Sequence, residues 1–152
     1  LEALPGRPRA DWPALAARLA PMAAPDLLAE AAGVLDDPAL AALFAADALA
    51  EVDVAAPLDA LGGRRVLGRI DRLLVAPDRV LAVDFKSNRV VPPAPEATPE
   101  AVLRQMGAYA AALAAIWPGR RVETAILWTR AGSLMTLPPA LTAAALARAG
   151  AA

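Results

Sequence analysis

The 152-residue chain contains neither cysteine nor histidine. The first absence excludes a disulfide framework, a thiolate metal site and a thiol nucleophile. The second removes imidazole as general base or ligand, so a metal ion could be held only by oxygen donors, a set that suits Mg2+, Mn2+ or Ca2+ rather than Zn2+. Aromatic residues make up 4% of the chain, and mean hydropathy is +0.44. Even so, no run of about 18 residues is free of both charge and proline, which excludes a membrane span. No basic stretch followed by an apolar one stands at the start, so the expected location is the cytoplasm. An excess of one charge is lacking too: 15 basic residues against 16 acidic ones leave a net charge of −1. A nucleic acid would therefore find little counterion-release driving force here, and something else would have to help hold it. The chain opens at Leu1 without a methionine and is read as a piece of a longer protein, with a partner region upstream.

What is abundant is alanine and leucine. They carry most of the 58% hydrophobic content, enough for one ordinary globular domain with a real core. What is scarce is more informative. The basic residues are 14 arginines and a single lysine, and asparagine, glutamine and tyrosine also occur once each. Those four singletons, Lys86, Asn88, Gln105 and Tyr109, fall within 24 residues of one another. A compact ammonium and a planar guanidinium are not interchangeable, so a chain that uses arginine elsewhere keeps Lys86 for a reason of chemistry.

The first third reads as short helices: Asp11 with Trp12-Pro13 opens one to about Leu19, Asp26 opens a second to about Leu35, and Asp37-Pro38 opens a third through Phe44. From Glu51 the pattern turns to strands, at Glu51 to Val54, Arg64 to Val75 and Arg79 to Lys86. A stiff loop with Pro92, Pro93, Pro95 and Pro99 follows. Then comes a helix from about Pro99 to Trp117 with an apolar stripe of Val102, Leu103, Met106, Ala110, Leu113 and Trp117. Strands at Arg121 to Thr129 and Leu134 to Leu137 and a last helix to about Ala149 complete the order. One domain is expected, residues 1–50 forming a helical segment packed on a core of residues 51–152.

If the strands 64–75 and 79–86 join through a hairpin centred on Pro77-Asp78, with a loop of two or of four residues, counting back in pairs brings Asp71 opposite Asp84. A loop of odd length would turn them to opposite faces. Opposed positions have Cβ atoms about 4.5–5.5 Å apart, and like charges there repel, so two carboxylates held this way call for a cation. Lys86 shares the face of Asp84, while Val83 and Phe85 point into core. One face thus carries Asp71, Asp84 and Lys86. Two carboxylates and an ammonium suit metal-assisted phosphodiester hydrolysis, in which Mg2+ (Mn2+ is also suitable) polarises the phosphate and activates water. The plainer alternative is an exposed hairpin with an Asp84–Lys86 ion pair worth under about 1 kcal/mol. Against it, a charge between Val83 and Phe85 is an expensive feature to keep without function. Gln105 and Tyr109, four apart on a helix, share a face displaced from its apolar stripe. They either reach the site or form a surface hydrogen bond.

The blocks Gly68-Arg69-Ile70-Asp71-Arg72-Leu73, Val83-Asp84-Phe85-Lys86-Ser87-Asn88-Arg89 and Leu103-Arg104-Gln105-Met106 with Tyr109 resemble, in this order and spacing, the RecB-type branch of the PD-(D/E)XK nucleases. With the proline loop and Ile126-Leu127-Trp128-Thr129, they are most similar to the C-terminal nuclease domain of AddA-type helicase-nucleases, over roughly residues 35–137. The resemblance implies an α/β, restriction-endonuclease-like αβββαβ core, a mixed sheet flanked by helices with a helical N-terminal segment. It implies a Mg2+-dependent deoxyribonuclease of the exonuclease V type, acting on single strands made by unwinding during double-strand break repair by recombination, in the bacterial nucleoid. ATP would enter only through upstream helicase domains, and an AddB-type subunit would be the partner. Residue by residue, Asp71, Asp84 and the Phe85 carbonyl would be metal ligands, Lys86 the catalytic lysine, and Gln105 and Tyr109 the Q-x-x-x-Y pair beside the site. Arg72, Asn88, Arg89 and Arg104 are candidates for DNA contact.

The family adds a histidine or glutamate ahead of the strands as a further ligand, and this chain has no histidine. Leu1-Glu2-Ala3-Leu4-Pro5 looks like the segment that follows it, and Glu51 is a possible substitute, against an ordinary surface carboxylate. Ser87, where the family often has threonine, keeps the hydroxyl. Two other functions stay open at this point. One is a noncatalytic domain of the same fold that guides a DNA strand or docks a partner, and the other a Mg2+-dependent hydrolase of another phosphate ester.

Overall fold

The hairpin loop sets the geometry of everything downstream. In the computed structural model, which describes residues 1, 3–22, 24–88 and 90–151, the amide of Ala76 donates to the Arg79 carbonyl at 2.8 Å. Pro77-Asp78 is therefore the two-residue loop, and the register runs Val75↔Val80, Leu74↔Leu81, Leu73↔Ala82, Arg72↔Val83. The strands are β1 (Leu49–Leu58), β2 (Arg64–Val75), β3 (Arg79–Lys86), β4 (Arg121–Trp128) and β5 (Ser133–Leu137), and the helices α1 (Trp12–Leu19), α2 (Ala24–Leu35), α3 (Glu100–Ile116) and α4 (Pro139–Gly150). They form one mixed sheet in the order β1-β2-β3-β4-β5. All neighbours are antiparallel except β3 and β4, which run parallel from Arg79↔Arg121 to Lys86↔Trp128. A parallel pair needs a long crossover, and the proline loop with α3 is that crossover.

Alternation along the strands divides the interior in two. Ile70, Val80, Ala82, Ile126 and Trp128 meet Leu103, Met106, Ala112 and Leu113 of α3 and Leu146 of α4. On the opposite face Val83, Ala125 and Leu127 meet Val34 of α2 and Leu40 and Leu43. Each of the valines, leucines, isoleucines and the methionine among them contributes about 1.5–3 kcal/mol on burial, the alanines less. β3 and β4 are buried on both faces, as expected for strands covered by helices on either side.

Several local expectations shift. Residues Pro38–Phe44 wind as a 3-10 helix capped by Asp37, whose side chain accepts from the Ala39 amide at 2.8 Å. Asp11 stands at the N-cap position of α1 but makes no side-chain cap bond. α2 begins two residues before Asp26, which falls in its first turn, where its charge still favours the helix dipole. α3 is buried over a wider arc than the apolar stripe, because α4 packs on it so closely that a Cβ at Gly107 would lie 2.4 Å from the Thr142 carbonyl oxygen. Among the described residues no helix is long and apolar enough to cross a membrane.

Candidate active site

Asp84 and Lys86 point from the end of β3 toward the α3 side of the sheet. Asp84 is only 3% exposed, and an isolated charge there would be prohibitive. It is not isolated. The Lys86 ammonium lies 2.5 Å from Asp84 Oδ2, in ion-pair contact but not aligned as a hydrogen bond. The Gln105 amide donates to Oδ1 at 2.9 Å. A carboxylate only accepts, so the glutamine must turn its NH2 end to Asp84, and the same Nε2 donates to the Tyr109 hydroxyl at 3.0 Å. That hydroxyl in turn donates to the Arg69 carbonyl on β2 at 2.7 Å. Tyr109 is thus buried, in line with the first of the two readings of the pair rather than with a surface hydrogen bond, and the Q-x-x-x-Y spacing of one helical turn is what lets one amide reach both partners.

Gly68 makes this possible. A Cβ at that position would fall 2.5 Å from Tyr109 Cε1, so the tyrosine ring lies against bare backbone of β2. A glycine inside an apolar strand often marks such a close approach, so the signal for it is present in the sequence.

Asp71 sits where the ladders break. The last β2–β3 pair is Arg72↔Val83, and beyond it the Asp71 carboxylate, through Oδ2, accepts the Phe85 amide at 2.5 Å, taking the place of a strand partner. On the other side, pairing with β1 runs through Ala50↔Arg72 and resumes at Val52↔Ile70, skipping Glu51 and Asp71. Glu51 has φ 53°, a left-handed conformation uncommon for a residue with a side chain. Ile70 and Leu73, three apart, both enter the core under α3, so the period-two alternation is interrupted between them. Burial pushes the Asp71 carboxyl above its ordinary range; the Phe85 amide opposes this, and the charges of Asp84 and Glu51 reinforce it.

This arrangement could hold a divalent cation, but with few protein ligands. The donors are all oxygens, and the Asp71 carboxyl, raised by burial first and by the charge of Asp84 after it, is one whose ionised form a cation would favour. The Lys86 carbonyl accepts from the Thr129 amide on the β4 side at 2.9 Å. Because backbone groups alternate along a strand, the Phe85 carbonyl turns to the β2 side, where its amide already meets Asp71. Glu51, whose charge also bears on Asp71, is paired with Arg69. Its carboxylate is 3.3 Å from Arg69 Nη1, and among the described residues no three Asp, Glu, His or Cys side chains are grouped closely enough to hold an ion.

The candidates for DNA contact divide. Asn88 and Arg104 are exposed, Arg104 on α3 next to Gln105. Arg72 is 4% exposed, with its guanidinium carbon 5.1 Å from the Phe44 ring centroid on the opposite face of the sheet. That is a buried cation–π contact and not a surface for phosphate. Arg89 lies outside the described residues. No individual curated protein matches the chain. The family model of the PD-(D/E)XK nuclease superfamily matches residues 4–146, most of the chain, and the mixed five-stranded sheet flanked by helices fits its fold: the chain belongs to the PD-(D/E)XK nuclease superfamily.

Proposed function

We propose that this chain is the Mg2+-dependent DNA nuclease domain of an AddA-type helicase-nuclease, hydrolysing phosphodiester bonds of unwound strands in double-strand break repair. The observation that carries the nuclease reading is the buried Asp84–Lys86 pair, beside a carboxylate, Asp71, whose charge is disfavoured where it stands. Asp71, Asp84 and the Phe85 carbonyl are the residues that would hold the ion. Once bound, the ion would supply Lewis-acid polarisation of the scissile phosphate and a lowered pKa for water. Lys86 orients the attacking water and offsets negative charge as the phosphorane forms, which suits a compact ammonium. Gln105 and Tyr109 hold the Asp84 carboxylate in one orientation, so that its second oxygen stays turned toward Lys86.

The assignment to an AddA-type enzyme rests on the resemblance of the three sequence blocks, and the net charge of −1 is consistent with DNA being delivered by other domains or an AddB-type subunit. The test is cleavage of single-stranded DNA with Mg2+, with Mn2+ and with chelator. Asp84→Ala is expected to abolish cleavage and, in the intact helicase-nuclease, to leave ATP-driven unwinding untouched. Wild-type cleavage by that variant refutes the assignment. Metal-independent binding of DNA with no hydrolysis would support a strand-guiding domain instead.

A further inference from the structure

We propose that Glu30 is a positioning residue for Lys86, acting through Thr129; its catalytic consequence rests on the nuclease reading, its geometry does not. Glu30 lies in the middle of α2 among alanines and leucines, with its side chain only 15% exposed. It borders a cavity of about 300 Å³ lined by Leu4, Leu15, Leu28, Phe85 and Ser87. A carboxylate in such a setting needs partners, and both come from the end of β4. The Thr129 hydroxyl donates to Glu30 Oε1, and Arg130 Nε stands 3.7 Å from Oε2.

Thr129 is the joint. Its amide donates to the Lys86 carbonyl at 2.9 Å, and its Oγ1 lies 3.3 Å from the same oxygen. A hydroxyl has one proton to give, and a charged acceptor takes it in preference to a neutral one. The carboxylate therefore fixes the threonine side chain and leaves the amide to hold Lys86. This bond lies one residue beyond the last register pair of the parallel strands, Lys86↔Trp128. Beyond Lys86 the next two residues, Ser87 and Asn88, are exposed. The end of β3 is thus gripped from both edges by carboxylates, Asp71 through the Phe85 amide and Glu30 through Thr129. Where the strand ends sets where the ammonium stands, and misplacing a reacting group by about 1 Å costs on the order of a hundredfold in rate.

The experiment compares Glu30→Ala, Glu30→Gln, Thr129→Val, Thr129→Ser and the Glu30→Ala/Thr129→Val double variant. Glu30→Ala and Thr129→Val are each expected to lower kcat by about tenfold or more, with KM nearly unchanged. Glu30→Gln keeps an acceptor oxygen and Thr129→Ser keeps the hydroxyl, so both are expected to retain most activity. The double variant is expected to be no slower than the worse single one, because both remove one link. A second readout does not depend on cleavage. Lys86 is the only lysine, so 15N-lysine labelling gives one side-chain Nζ resonance. It is expected to shift or broaden in Glu30→Ala and Thr129→Val and to stay in place in the two conservative variants. If the wild type cleaves no DNA, the nuclease reading fails while the resonance still decides the positioning. An unmoved resonance in Glu30→Ala and Thr129→Val, or additive losses in the double variant, overturns the proposal.

Discussion

Replacing Asp71 with asparagine should make the protein more stable and less active at once. Asparagine is nearly the same shape, and its carbonyl oxygen can still accept the Phe85 amide that Asp71 holds at 2.5 Å. What it removes is a charge that burial disfavours and that Asp84 and Glu51 repel. For unit charges on opposed strand positions, about 5 Å apart, the repulsion is roughly 1–3 kcal/mol between the limits of bulk water and a protein surface. Asp71 is only partly buried, and Lys86 offsets part of the repulsion, so the low end applies, about 1–2 kcal/mol. For a domain of this size that raises Tm by roughly 2–8 °C.

The sign with pH follows from linkage. The Asp71 carboxyl is raised in the folded state from an ordinary value of 3.8. Below that value it is protonated folded or unfolded, and wild type and variant should melt together. As pH rises from 3.8 through the raised folded value, the unfolded chain ionises first, the folded protein holds more protons, and wild-type stability falls relative to the variant. Above that window the gap is constant. Mg2+ should reverse it: an ion at 100 times its Kd stabilises the wild type by about 2.7 kcal/mol and the variant by much less. Thermal melts of both proteins, from acid to neutral pH and with chelator or Mg2+, measure all three effects, and cleavage assays in parallel should show the loss of activity. An asparagine variant that melts below wild type at neutral pH without metal, or that gains as much from Mg2+, refutes the reasoning.

Lys86→Arg should keep the fold, because Asp84 retains a cationic partner, yet lose cleavage by about 10²–10³, as removal of a preorganised charge stabiliser does; retained activity would mean that only charge matters there. Gly68→Ala should lower stability by about 1–3 kcal/mol, since its Cβ must displace the Tyr109 ring now 2.5 Å away, and cleavage should fall as Gln105 loses its anchor. Tyr109→Phe should lower stability by about 1–2 kcal/mol by leaving the Arg69 carbonyl without its donor, with a smaller loss of cleavage than Asp84→Ala, both readable from melts and initial rates.

The hairpin was legible because a two-residue loop leaves no freedom: once Pro77-Asp78 is the turn, the pairing out to Arg72↔Val83 follows, one position short of Asp71 and Asp84. The period of two, applied one residue further, would have turned Arg72 away from Asp71 and onto the other face, against Phe44; its charge argued for DNA where its position argued for burial. α3 was harder, because alanine appears on every side of it and an alanine-rich helix has no clear apolar stripe. Its buried arc is decided by how closely α4 approaches Gly107, which is a tertiary fact. The Glu30–Thr129 link joins residues 99 apart and has no local sequence signature at all.

The break in β2 is the feature that a periodic reading is least able to see and that the site most depends on. Had the alternation run unbroken from Val66 and Ile70, Asp71 would have faced the Phe44 side, opposite to Asp84. The interruption between Ile70 and Leu73, matched across the ladder by the left-handed Glu51, keeps both strands in the same overall register on either side of it. It also frees one carboxylate to meet the Phe85 amide instead of a strand partner. Left-handed backbone with a side chain costs on the order of 1–3 kcal/mol and persists only where the surroundings over-determine it. Here the surroundings are regular pairing with β1 on both sides of the break and a fully buried Ile70 and Leu73. The strain therefore lies in β1, at Glu51, directly across from the stretch of β2 where that strand stops pairing with β3 and Asp71 turns to the Phe85 amide.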